Sequence, residues 1–220
     1  MYYDPEHNDH GLPWTPFKSC VVPRPIGWIS TISKDGVPNL APYSQFQNLS
    51  FDPAYVMISI NQAEGGIRKD TTNNIEQTGE FVYNMATYDL RGAVNLTSGT
   101  YPPDVDEFEV ANLTKAPSLR VKPYRVAESP IQFECVYNQT VRIPGNGIGA
   151  IDLIVGKVVM IHIADNVIGP DGKLDIVKIR PLARVGYYDY TSIESVFEMR
   201  PPLSNMGSGL EGKPGSKTKK

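Results

Sequence analysis

The chain has 220 residues, 40% hydrophobic and 20% charged, values of an ordinary globular protein long enough to bury its own core. A net charge of −3, with no basic stripe before the last few residues, argues against nucleic acid as a partner. Two cysteines, Cys20 and Cys135, are too few for a disulfide framework or a zinc cluster, and no run reaches the roughly 18 apolar residues of a membrane span. With no apolar leader core at the N-terminus, a soluble, cytoplasmic protein without a metal site is expected.

Residues 1–18 read as a polar arm in which His7 and His10 lack further ligands nearby. Residues 19–203 read as one domain, and 204–220, rich in Gly, Ser and Lys, as a disordered tail. The domain opens with a hairpin over Arg24–Ser44. Two β-rich runs flank Lys34-Asp35-Gly36, and an Asp-Gly turn needs the positive φ that Gly supplies. Pro38 and Pro42 cannot donate to a ladder, so the second arm belongs at a sheet edge. Ser30, Thr31, Ser33, Asn39 and Ser44 make the hairpin more polar than a core element needs, as if it presented groups to a ligand.

Ala54–Ile60 reads as a buried strand. A helix follows, capped by Asp70 or Thr71 and ended by Gly79. Phe81–Met85 is a strand, Asp89–Thr97 a helix and Val105–Asn112 a short acidic helix. Ile131–Ile143 and Ile151–Ala164 are long strands, with Gly156 marking a bulge, and Leu182–Ser192 closes the domain. Parallel βαβ repetition is absent, so the pattern indicates a mainly antiparallel barrel or sandwich with added helices.

Chemistry is sparse along this chain. Gly207–Gly212 spells G-x-G-x-x-G but lacks the preceding strand and following helix that a dinucleotide site needs. Arg68-Lys69-Asp70-Thr71 has two readings. It is a helix start that binds an anion through amides, dipole and cations, or it is a solvated basic pair beside an ordinary cap. His162, on a strand, reads equally as a structural or a catalytic histidine. No nucleophile elbow, HExxH, CxxC or P-loop occurs.

Five blocks in order, RPIGWISTIS…NLAPYSQFQNLSFDPAYVMISI, RKDTTNNIEQTGEFVYN, ESPIQFEC, GKVVMIHI and PLARVGYYDY, make residues 19–200 resemble the flavin reductase-like, FMN-binding split-barrel family that includes flavoredoxin. The resemblance implies a mainly β fold, a split β-barrel of Greek-key antiparallel strands with peripheral α-helices. It implies a homodimer binding FMN, or FAD, near the subunit interface. It implies NADH or NADPH as co-substrate, with hydride passing to flavin and on to free flavin, a monooxygenase or an electron-transfer partner. A flavoredoxin-like carrier without nicotinamide activity, or a non-catalytic flavin-binding module, are the alternatives. The residues matched to cofactor contacts are Trp28, Ser30, Thr31, Ile32, Ala41, Pro42, Tyr43, Ser44, Arg68, Lys69, Asp70 and Thr71. His162 and Tyr187 are the candidates for catalysis on the nicotinamide side.

Overall fold

A two-residue strand, β1 (Arg24–Pro25), leads into β2 (Gly27–Ile32), and Gly36 at φ +86° turns the chain back into β3 (Pro38–Tyr43). The computed structural model describes residues 1–146 and 149–199, so the expected tail and its G-x-G-x-x-G run lie outside the described residues. Next come β4 (Phe46–Phe51), β5 (Ala54–Asn61), α1 (Asp70–Thr78) and β6 (Glu80–Met85). The chain then leaves the sheet through α2 (Arg91–Leu96), α3 (Glu107–Val110) and the small strands β7 (Lys115–Ala116) and β8 (Arg125–Val126). It returns as β9 (Ile131–Ile143) and β10 (Ile151–Ile163), followed by α4 (Ile176–Ile179), β11 (Leu182–Gly186) and β12 (Asp189–Ser192).

Seven strands form one antiparallel sheet in the order β3-β2-β6-β9-β10-β5-β4. Within it β5 lies beside β10, while β6, β9 and β10 run consecutively, which is a Greek-key order. The sheet curls so that its ends approach: a Cβ on Gly27 would lie 2.6 Å from the Phe46 ring. β3 is an edge, as its two prolines require. β4, the other edge, buries Phe46 and exposes its remaining residues. That lack of an apolar face is why it does not announce itself in the sequence.

Period-two alternation sends Ile29, Val56, Ile58, Ile60, Phe81, Tyr83, Cys135 and Ile154 to the inside of the curl, where Ile75 of α1 joins them. The outer face carries Trp28, Leu40, Val94, Phe108 and Val126, beneath the 86–129 excursion. Polar side chains of that face tie the excursion down. Asn84 Oδ1 accepts from Val126 N–H at 2.8 Å, and Glu134 accepts from Leu119 N–H at 2.8 Å and Arg120 N–H at 2.6 Å. Loop backbone that has no ladder partner is thereby satisfied.

The register of β10 against β9 shifts at Val155/Gly156, the expected bulge. A Cβ there would meet the buried Phe81 ring at 2.3 Å. Gly156→Ala is therefore expected to lower unfolding free energy by about 1–3 kcal/mol, an overpacking effect measurable by chemical denaturation.

Among the described residues no helix is long and apolar enough to cross a membrane, and no group of three His, Cys, Asp or Glu side chains could hold a metal ion.

Candidate functional site

The start of α1 faces the outer edge of β3 across a cleft of about 200 Å³. The cleft is walled by Asn39–Tyr43 without Leu40, by Lys69–Thr71, by the 97–101 loop and by Glu107. The helix begins one residue earlier than expected. Lys69 is its N-cap, in extended backbone, and Asp70 and Thr71 lie within the first turn. No side chain caps this start, so its leading N–H groups point out with the positive end of the helix dipole. Thr71 does not cap because its hydroxyl donates instead to Asn39 Oδ1 at 2.9 Å. At the other end Gly79, at φ +76°, closes the helix in the left-handed conformation.

The β3 edge is unusual in its polarity. Leu40 N–H points away from β2, to Glu107 Oε2 at 2.9 Å, so by alternation residues 38, 40 and 42 turn their backbone groups outward. Two of these are prolines. With the Leu40 donor already engaged, that edge offers a ligand carbonyl acceptors only.

Behind the edge, side chains form a connected network. Asn39 Nδ2 donates to Glu107 Oε1 at 2.8 Å, Thr31 Oγ1 donates to Asn39 Oδ1 at 3.3 Å, and Tyr43 Oη donates to Thr71 Oγ1 at 2.8 Å. Asn74 Nδ2 donates to Thr31 Oγ1 at 3.1 Å. Burial pushes the Tyr43 phenol well above its ordinary pKa, so it stays a donor. Burial also raises the Glu107 carboxyl, against the lowering effect of the bonds from Leu40 and Asn39.

Of the residues matched to cofactor contacts, Ala41, Pro42, Tyr43, Lys69, Asp70 and Thr71 line this cleft. The others do not. Trp28 is fully buried on the outer face, and its Nε1–H donates to Thr97 Oγ1 at 2.9 Å, anchoring the loop that forms the cleft rim. Ser30 is fully buried and donates to the Tyr124 carbonyl, and Thr31 lies buried behind Asn39. Ile32 and Ser44 are half-buried and outside the lining. Arg68 turns away altogether: it grips Glu76 with two bonds of 2.7 Å and reaches Asp152 at 3.0 Å.

His162 lies in a different cavity on the outer face, its Nε2 2.6 Å from the fully buried Glu134 carboxylate that holds Leu119 and Arg120. Tyr187 sits at φ +45° in the β11–β12 turn, its ring against Trp14. Neither residue reaches the cleft. Asn39, one of the polar hairpin residues, lines the cleft, whereas Glu107 and the Ser98–Tyr101 rim are cleft residues that sequence reasoning missed. A larger depression of about 800 Å³ lies between α2 and β12, lined in part by Tyr88, Arg91 and Tyr190. The six-residue α2 also starts there without a side-chain cap, but its Arg91 donates to the Tyr88 carbonyl at 2.8 Å and lies over the Tyr88 ring, and Glu194 of the lining is paired with Arg180 at 3.3 Å.

A family profile described as the flavin reductase like domain matches residues 19–183. The chain belongs to this family. A protein of Aquifex aeolicus, itself uncharacterized, is 38% identical over 170 residues, spanning 76% of this chain and 84% of that one. Nitrilotriacetate monooxygenase component B from Bacillus cereus superposes with a TM-score of 0.83 at 28% identity, covering 90% of this chain and 98% of that one. A Shewanella frigidimarina protein with a split barrel domain, assigned as a flavin reductase, gives 0.77 at 22% identity over 91% and 99% of the two chains. The fold of this flavin reductase-like protein is thus the split barrel that the curled sheet describes.

The cleft fits a phosphate-bearing flavin on two observations. The α1 start is uncapped beside Lys69, which enters no ion pair among the described residues. The carbonyl edge of β3 supplies acceptors suited to an N–H donor.

Proposed function

We propose that this member of the flavin reductase-like family is an FMN-binding oxidoreductase that accepts hydride from NADH or NADPH and passes electrons to free flavin or a partner monooxygenase. The uncapped start of α1, with Lys69 beside it and the acceptor edge of β3 across the cleft, is the observation that carries this reading. The amides of the first turn and the Lys69 ammonium bind a terminal phosphate. One such helix start favours FMN over FAD, whose phosphates are both esterified within the chain. The Pro42 carbonyl orients a donor on the cofactor's edge. Flavin, when bound, supplies the hydride acceptor for a reduced nicotinamide, so no side-chain nucleophile is needed.

At about 200 Å³ the cleft is smaller than the roughly 300–1,000 Å³ of typical ligand pockets. It holds the phosphate end and leaves the ring at the surface, where a second copy in a homodimer would cover it. His162 and Tyr187 then have no role in hydride transfer within one subunit.

The test is anaerobic. Protein loaded with FMN is mixed with NADH and NADPH separately, and the visible flavin absorbance is followed. At least one nucleotide is expected to bleach it. Bound FMN that neither nucleotide bleaches would refute the reductase and leave an electron carrier. A protein that binds no added FMN would refute the flavin reading itself.

A further inference from the structure

The cleft contains a buried acid that an anion site does not call for. Glu107, 6% exposed, enters from α3 and commits both carboxylate oxygens to β3, Oε1 to Asn39 Nδ2 and Oε2 to Leu40 N–H. An ionised carboxylate only accepts hydrogen bonds, so it holds the Asn39 NH₂ toward itself and the Asn39 carbonyl toward Thr71 and Thr31. That carbonyl takes the Thr71 proton, while Thr71 Oγ1 accepts from Tyr43. A hydroxyl has one proton. With Glu107 ionised, Thr71 lines the cleft yet has none to offer a ligand in it.

We propose, building on the phosphate reading above, that Glu107 is a positioning residue that sets the direction of the Thr71 hydroxyl and thereby how tightly the cleft holds an anion. When residue 107 can donate, as a carboxylic acid or as Gln, the Asn39 amide turns over. Its carbonyl accepts from residue 107 and its NH₂ donates to Thr71. Thr71 then accepts from both Asn39 and Tyr43, and its own proton is free for the cleft. Thr31 gives up its 3.3 Å bond in the exchange and keeps the one from Asn74.

The charge balance of the cleft acts in the same direction. Among the described residues Lys69 is its one cation, set against Asp70 on α1 and Glu107. Asp106, the neighbour of Glu107 on α3, is paired with Lys115 of β7. Tyr43 of β3 and Tyr101 of the rim are the remaining titratable groups facing the cleft among the described residues. Burial already raises the Glu107 pKa, and a phosphate beside it raises it further, so binding is linked to proton uptake.

The experiment measures FMN and riboflavin affinities by flavin fluorescence from pH 5 to 8.5, for wild type, Glu107→Gln, Thr71→Val and the double variant. At pH 8, E107Q is expected to bind FMN about tenfold more tightly than wild type, the effect of one added charge-assisted bond. The gap should close as pH falls and Glu107 takes up its proton. Riboflavin, without a phosphate, should not distinguish the two proteins. In the T71V background the Gln should tighten FMN binding far less, because only the relief of negative charge remains. The titration of the FMN phosphate itself, near pH 6, is common to all four proteins and cancels in their ratios.

Affinity of E107Q for FMN at pH 8 no better than wild type would overturn the proposal. So would an equal gain in the T71V background, which would make Glu107 a plain repulsive charge. If none of the four binds FMN, the cofactor reading falls and the proposal with it. If FMN binds but the ratios are flat, only the proposal falls. Should E107Q fail to fold, wild type against T71V carries the same test. Their affinity ratio is expected to widen on acidification, and a constant ratio would overturn the proposal.

Discussion

Lys69→Glu is expected to weaken FMN binding by about a hundredfold while leaving riboflavin binding within a factor of about two and the fold intact. The magnitude follows from losing one charge-assisted contact, about 1.5–3 kcal/mol, at a site where Asp70 and Glu107 already supply negative charge. The fold survives because Lys69 is a half-buried N-cap residue whose side chain makes no capping bond and no ion pair among the described residues. An acidic side chain beside the first turn interacts favourably with the helix dipole, so thermal stability of the apoprotein should hold or rise slightly. Affinity and stability are thus expected to move in opposite directions, and a general disturbance of α1 would move both down. Equilibrium fluorescence titration together with a thermal melt makes the measurement. Unchanged FMN affinity would place the phosphate elsewhere.

Much of this architecture was readable before any coordinates. Ile131–Ile143 is long, alternating and bounded by turn residues, and β9 has those bounds. Two prolines four residues apart foretold the edge position of β3, and Gly79 the end of α1. The site was half readable for a definite reason. A run dense in Ser, Thr and Asn shows that polar groups need partners, but not whether those partners are a ligand or the chain itself. At Trp28, Ser30 and Thr31 the partners are Thr97, the Tyr124 carbonyl and Asn39, so these side chains support the cleft from behind. Glu107 was invisible because its bond to Asn39 spans 68 residues, and one acid among several in a short acidic helix carries no local signal of its own. Arg68 misled in the opposite sense. Beside Lys69 it suggested a paired cationic site, and the sequence could not show that Glu76 and Asp152 would claim it.

Those two acids make Arg68 a matter of stability. Arg68→Met is expected to lower the unfolding free energy by about 3–5 kcal/mol at neutral pH, the range for removing one partner of a buried charge network. Arg68 binds Glu76 through two bonds of 2.7 Å and Asp152 at 3.0 Å, and the Asp152 side chain is only 1% exposed. Arg142 stands 3.7 Å from each acid and is too exposed and distant to replace it. The network joins α1 to β10, so it holds the helix whose start forms the cleft. Its pH dependence has a defined sign. The Arg68 guanidinium, above all, holds the Glu76 pKa down to about 2, below the ordinary value of 4.5. A carboxylate whose folded pKa is depressed contributes stability above its unfolded pKa and loses it as pH falls through the folded one. Wild type should therefore lose this contribution between about pH 4.5 and pH 2. R68M, which lacks it from the start, should show a shallower decline over the same interval. Urea denaturation of both proteins at pH 7 and pH 3 would measure the two differences. R68M as stable as wild type at pH 7, but with FMN affinity lost, would return Arg68 to the phosphate. The structure predicts the reverse: lower stability, with the FMN affinity of the folded fraction unchanged.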